Sequence, residues 1–417
     1  MGDETSPRSG AFAINRRNLL LGATAGAIAM PWVSRAHAAE PIRIGMLYGK
    51  TGPIVGQSEH LAQGSFLALE QRGGTLLGRP TEIVWLDEPN PQGAQQNAER
   101  LVGEHKVAGL VGGALSSHAF AISAVAKKAK VPFIATNAAA DALTGASCNR
   151  YTFRTQAPVE VQARVLAPQA AAIGNKWYLL TAAYAFGQDV KRFFGQYAKD
   201  NGGTIVGADD VPVGTQDFSS FILKIRAAKP DVVIGGIAGS DLMGFLKQWN
   251  ELGMRGRIPF AEIAVGNTDL WGVGPEAADG LYTSTWYYKN PANPPDEQAM
   301  TAAYEKKYNR PPADKAWMGW FGTNILLDSI EAAGSTDPTA VVNAIERWQT
   351  KRGGTREISF RPFDHQLTST VVVLGVKPKI TDKWDFFDVK AEVPKTEAEA
   401  NALYGPESAS ACKMESI

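Results

Sequence analysis

The chain has 417 residues, 44% of them hydrophobic and 20% charged, enough apolar material to bury two cores of ordinary domain size. Its 42 basic and 42 acidic residues cancel and form no lysine or arginine block, so a phosphate backbone is excluded as a main target and nucleic acid is not an expected partner.

At the N-terminus, Asn15-Arg16-Arg17-Asn18 precedes an apolar run from Leu19 to Met30, then Pro31 and Ala36-His37-Ala38. A charged head, a short apolar stretch and a small-residue site make an export signal over residues 1–38, with cleavage expected after Ala38. The run is too short for roughly 30 Å of hydrocarbon, so the chain is not expected to span a membrane. The adjacent arginines resemble a twin-arginine signal, which implies folding before export and a periplasmic destination. No cysteine lies near the cleavage site, so no lipid anchor is expected there. Cys148 and Cys412 then sit where disulfides persist and are expected to pair; two unrelated buried thiols are the alternative.

From Ile42 onward, short apolar runs alternate with amphipathic helical stretches, the pattern of an α/β protein with parallel sheets covered on both faces. Strands are expected over Ile42 to Tyr48, Thr81 to Leu86, Val107 to Leu115 and Val131 to Ala135. Helices are expected over Glu59 to Gln71, Pro91 to His105 and Ser117 to Lys130. After Tyr151-Thr152-Phe153-Arg154-Thr155 the pattern restarts with a helix to Gly174, strands at Trp177 to Thr181, Thr204 to Val211 and Asp231 to Ile237, and helices Asp189 to Asp200, Phe218 to Ala228 and Asp241 to Leu252. The segment Ile258 to Val265 and strand Leu281 to Tyr288 complete this second unit. Beyond Pro291-Ala292-Asn293-Pro294-Pro295, helices Glu297 to Tyr308 and Ala316 to Ala333 have no strand between them and are expected to pack back on the first unit. Glu357 to Phe360, Ser369 to Val376 and Trp384 to Val389 read as strands that cross between the units. The expected division is residues 39–157 with 289–368 as lobe 1, 158–288 with 369–395 as lobe 2, and 396–417 as a tail. Two Rossmann-like, doubly wound lobes joined by several hinge crossings leave a cleft at the carboxyl ends of their strands, where a solute can be enclosed.

Gly45-Met46-Leu47-Tyr48-Gly49-Lys50-Thr51 looks like a phosphate loop but has one residue too few between its glycines, and Gly52-Pro53 follows where a helix should begin. Gly49 to Gln57 is better read as a flexible loop beside the cleft. Ser116-Ser117-His118 stands where a strand gives way to a helix, so hydroxyls and free backbone N–H groups there suit an anion; a plain serine N-cap is the bland reading. No nucleophile elbow, zinc-protease signature, close cysteine pair or complete dinucleotide fingerprint occurs, so neither enzyme, cofactor nor metal is expected. Tyr184, Phe186, Trp286, Trp317 and Trp320 are candidate aromatic cleft walls, although the spacing of the last two fits a core.

Thr51-Gly52-Pro53, Gly112-Gly113-Ala114-Leu115-Ser116-Ser117, Tyr151-Thr152-Phe153-Arg154-Thr155, Ala183-Tyr184-Ala185-Phe186-Gly187, Asp217-Phe218-Ser219-Ser220-Phe221, Ala228-Lys229-Pro230-Asp231-Val232-Val233 and Leu252-Gly253-Met254 follow one another in order over residues 42–390. That set resembles the hydrophobic amino acid binding proteins of ABC transporters, the leucine/isoleucine/valine-binding group with a type I periplasmic binding fold. The resemblance implies an importer's solute-binding component that closes on its ligand and docks on inner-membrane permease subunits. It also pairs a cysteine before the Tyr-Thr-Phe-Arg stretch with one near the C-terminus, as Cys148 and Cys412 would be. Ser116 resembles the serine that binds the ligand carboxylate, with Ser117 and His118 beside it. Asn137-Ala138-Ala139 lies where the family offers backbone and a hydroxyl, although Ala139 has none. Gln57, Tyr184, Phe186 and Ala238 complete the expected walls. The acidic residue that accepts the ligand ammonium falls on Ile263, with Glu262 one position earlier. Without a carboxylate there an ammonium would be buried unpaired, so an aromatic or aliphatic carboxylate is the expected ligand. A one-residue slip restores Glu262 and with it a branched-chain amino acid; a periplasmic sensor of the same fold is the other alternative.

Overall fold

The computed structural model describes residues 40–352 and 356–415. The expected export segment and its twin arginines lie outside the described residues.

Strand β1 (Ile42–Leu47) is buried at five of its six positions, as a parallel strand covered on both faces must be. Around it stand α1 (Val55–Gln71), β2 (Thr75–Leu76), β3 (Arg79–Leu86), α2 (Pro91–Gly103), β4 (Gly109–Gly112), α3 (Ser116–Ala129), β5 (Phe133–Ala135) and β6 (Thr152–Arg154). The sheet order is β2-β3-β1-β4-β5-β6, and only the β2–β3 pair is antiparallel. Helix boundaries follow local chemistry. The Asn90 side chain accepts from Gly93 N at 2.8 Å and Pro91 fills the first helical position of α2, while Lys130 ends α3 in the left-handed region.

The second sheet is built from α4 (Val159–Ala171), β7 (Lys176–Ala182), α5 (Ala185–Asp200), β8 (Thr204–Val211), α6 (Ser219–Ala228), β9 (Val232–Gly236), α7 (Ser240–Glu251), β10 (Phe260–Glu262), α8 (Asn267–Val273) and β11 (Leu281–Ser284). The chain then returns to the first lobe as α9 (Pro295–Tyr308), α10 (Asp314–Ala333), α11 (Pro338–Glu346) and the hairpin β12 (Gln349–Arg352) with β13 (Arg356–Ser359). It crosses a third time to add β14 (Val371–Val376) and β15 (Phe387–Val393) antiparallel to β11, and ends in α12 (Glu397–Tyr404). The second sheet therefore runs β15-β14-β11-β10-β9-β7-β8.

Three expectations need correction. Helix α1 begins at Val55, so Val55 to Gln57 is helical rather than loop, and Gln57 and Ser58 are buried. Glu357 to Phe360 does not cross between lobes, because β13 pairs only with β12, and the two strands after it lie within the second sheet. Trp286, Trp317 and Trp320 are core residues of the first lobe and not cleft walls; the Trp286 and Trp317 rings stack at 6.1 Å.

Helices α1 and α10 cross at backbone contact, and glycine makes that crossing possible. A Cβ on Gly319 would lie 1.9 Å from Leu61 O, and one on Gly64 would lie 1.8 Å from Ala316 O. In an exposed helix, glycine to alanine stabilises by up to about 1 kcal/mol. Here Gly319→Ala is expected to destabilise by about 3 kcal/mol or more, because the overlap is with backbone and the helices must part. A urea titration measures both magnitude and sign; a stabilised variant would refute the close crossing.

Candidate functional site

The carboxyl ends of both sheets face each other, and with them the N-termini of α3, α5 and α7. Each of these helices is longer than two turns, and none has a side-chain cap. The first amides of a helix have no intrahelical acceptor, so they are donors for an anion. Between them lies a cavity of about 30 Å³, room for one or two waters.

Ser116 forms the first turn of α3. Its Oγ accepts from Ala140 N at 3.1 Å and does not cap its own helix, so the hydroxyl proton is free to donate into the cavity. Asn137 lines the same wall, its Nδ2 donating to Ala114 O at 2.8 Å. Ala139 and Gln57 add to this side, and Tyr184, Phe186 and Ala238 come from the second lobe. The Tyr184 and Phe186 rings are 6.0 Å apart, and burial holds the Tyr184 hydroxyl well above its ordinary pKa, hence neutral.

Five of the expected residues are not brought to this cavity. Ala138 is buried in the core of the first lobe. Ser117 and His118 line a different chamber. Ile263 packs into the core beneath Phe186. Glu262 is fully buried; its Oε1 accepts from Ile237 N at 2.5 Å, and burial pushes its carboxyl well up. The position that reaches the wall is Ala264, one past Ile263, and it gets there through a left-handed backbone, φ 61°. A left-handed alanine has no sequence signature, which is why neither register of the strand reading found it. Ala114, Leu115 and Ile237 are wall residues that were also not singled out.

The lobes already touch. Gln57 Nε2 donates to both oxygens of Asp269 at 2.8 and 3.0 Å, and Ser240 N donates to Pro53 O at 3.0 Å beside Gly239, where φ is 61° and a Cβ would lie 2.7 Å from that same oxygen. The Lys315 ammonium, 1% exposed, pairs with Asp314 at 3.1 Å and faces Ala264 O at 3.4 Å. Burial, offset in part by Lys315 and Gln57, pushes Asp269 up to about 6. On the hinge side Asp141 N donates to Asp189 Oδ2 at 2.9 Å. Among the described residues no cluster of three or more histidine, cysteine or acidic side chains could hold a metal, and no helix is long and apolar enough to cross a membrane. Cys148 and Cys412 are bonded, their Cα atoms 5.5 Å apart.

A family model described as periplasmic binding protein matches residues 41–382. The chain is 27% identical over 341 residues to Leu/Ile/Val-binding protein homolog 7 of Brucella abortus (strain 2308), covering 77% of this chain and 84% of that one. The amino acid ABC transporter substrate-binding protein from Pseudomonas fluorescens Pf-5 superposes with a TM-score of 0.79 at 25% identity, covering 90% of this chain and all of that one. A solute-binding protein of an ABC transporter from Rhodopseudomonas palustris BisB5, in complex with 3,4-dihydroxybenzoic acid, superposes with a TM-score of 0.78 at 22% identity, covering 85% of this chain and 98% of that one.

Proposed function

Since the chain belongs to the type I periplasmic binding protein family, in the branched-chain amino acid group that supplies ABC transporters with their solute-binding components, we propose that it captures a small carboxylate with an apolar or aromatic body. The ligand's anionic end meets the Ser116 hydroxyl and the free amides of α3, Tyr184 and Phe186 cover its body, and the closed form is presented to permease subunits in the inner membrane. No bond is made or broken. Export through the segment around Arg16 and Arg17 belongs to the same proposal.

One observation carries the ligand class: the cavity wall offers the hydroxyls of Ser116 and Tyr184, two amide side chains and helix N-termini, but no carboxylate. An α-amino acid would leave its ammonium desolvated there, at a cost of several kcal/mol. Asp269 does not fill the role, because it is not on the wall of this cavity and its oxygens face Gln57 Nε2. The names of the curated relatives favour a second reading, a branched-chain amino acid, which requires Glu262 to leave Ile237 N and turn toward the cleft.

Thermal shift against aromatic carboxylates, aliphatic carboxylates and leucine-like amino acids separates the two. A ligand at a hundred times its Kd stabilises by about 2.7 kcal/mol. A response to carboxylates alone supports the proposal; a response to leucine alone supports the second reading. For the ligand so found, Ser116→Ala is expected to weaken binding roughly ten- to a hundred-fold, the loss of one hydrogen bond to a charged group. Unchanged calorimetric affinity would place the anion elsewhere.

A further inference from the structure

Gln57 lines two cavities, the small space at Ser116 and a larger one of about 310 Å³. The larger falls at the lower end of the roughly 300–1,000 Å³ over which small-molecule sites occur. Its walls come from both lobes. The first supplies Gln57 and His60 of α1 and Arg310 after α9; the second supplies Asp269 and Trp271 of α8 and Trp384 in the turn between β14 and β15.

Three rings meet along this wall. The Trp271 and Trp384 ring centres are 4.9 Å apart at 76°, and the His60 ring stands 6.0 Å from Trp271. Trp271 Nε1 already donates to Trp384 O at 3.0 Å, so what that indole still offers is its face, the negative side of its quadrupole. An indole face attracts a cation, most strongly where water is excluded.

The charges on the same wall leave one anion over. Asp269 is 1% exposed, and the group in contact with its oxygens is a neutral amide, Gln57 Nε2 at 2.8 and 3.0 Å. Arg310 pairs with Glu59 at 3.1 Å, and Lys315 pairs with Asp314 at 3.1 Å. Burial and the nearby Arg310 lower His60 to about 3, so the ring is neutral and does not repel a cation. Lys383 lies 5.0 Å over the Trp384 ring but is exposed and is not on the cavity wall. A buried carboxylate without an adjacent cation is costly to keep charged.

We infer that this cavity is a second binding site, for a quaternary ammonium ion. The Gln57 amide faces both Asp269 oxygens, so the carboxylate offers charge more than a free acceptor, and a quaternary ammonium has no N–H to satisfy. Indole faces and one unneutralised carboxylate are the two things such an ion can use. Because the walls belong to both lobes, the occupant binds the closed form more strongly than the open one.

Isothermal titration of the protein with tetramethylammonium chloride, with tert-butanol as the uncharged counterpart and sodium chloride as the salt control, tests the site. The cation is expected to bind saturably with a Kd below about 1 mM, and tert-butanol at least about ten-fold more weakly. Asp269→Asn, which keeps an oxygen for Gln57, and separately Trp384→Ala, at a half-buried ring in a turn, should each weaken the cation at least about ten-fold. A cation that binds no better than tert-butanol, or whose affinity survives either substitution, overturns the inference. Should Asp269→Asn fail to fold, Trp384→Ala decides alone, by the same ten-fold loss or its absence.

Discussion

Removing the Cys148–Cys412 bridge, as Cys148→Ser with Cys412→Ser, is expected to lower the stability of the protein by on the order of 5 kcal/mol. The bond closes a loop between residues 264 apart, which encloses most of both lobes. In the chain-entropy account the cost of closing a loop grows with the logarithm of its length, so this loop lies near the upper end for one bridge. Few other contacts fix the last residues of the tail; Lys127 with Glu415 is a surface ion pair, worth well under 1 kcal/mol. Urea titrations of the parent and the double serine variant, each extrapolated with its own slope, give the difference. Equal extrapolated stabilities would mean that the bridge does not restrain the unfolded chain.

Arg154→Met is the second large effect, about 4 kcal/mol of destabilisation. The guanidinium is 1% exposed and fully engaged: Nε donates to Gln366 Oε1, Nη1 to Ala140 O and Nη2 to Thr144 Oγ1, each at 2.5 Å. Its own backbone joins the chain at the third crossing, with Arg154 N donating to His365 O and Leu367 N donating to Arg154 O. Methionine fills much of the volume but removes three charge-assisted hydrogen bonds at about 1.5–3 kcal/mol apiece, offset in part because Ala140 O still accepts from Leu143 N and Gln366 Oε1 from Thr144 Oγ1, and because water can enter the adjacent cavity at the hinge. Burial lowers the Arg154 pKa to about 10, so the group is still charged at neutral pH, and Asp141 and Asp364 help to hold it so. A loss below about 1 kcal/mol in the same urea assay would show that Arg154 does not organise the hinge.

Most helices and strands could be read in the sequence because burial on both sheet faces leaves continuous apolar runs, and those runs are separated by helices of ordinary length. Strand Thr204–Val211 matches its expected bounds at both ends. What was missed was short or poorly patterned: α8 has seven residues and β6 three, too few for periodicity to show. Of the expected residues, Ser116, Asn137, Ala139, Tyr184, Phe186 and Ala238 line the cavity because they lie just past strand ends, where topology delivers residues to a cleft, whereas Gln57 reaches it from the first turn of α1. Glu262 and Ile263 misled for a different reason. Strand alternation says which of two neighbours faces a cleft only while the strand lasts, and β10 stops at Glu262. The left-handed turn at Ala264 then sends a third residue to the wall.

The three passages between the lobes also govern the order in which the molecule can be made. A ribosome releases the first five parallel strands early, but α10, whose Gly319 locks against α1, emerges only after nearly the whole of the second sheet. The second sheet in turn waits for β14 and β15 near the end of the chain. Neither lobe is a contiguous segment, so a stop codon before α10 leaves both lobes open, and one between β13 and β14 leaves the second sheet without its last two strands.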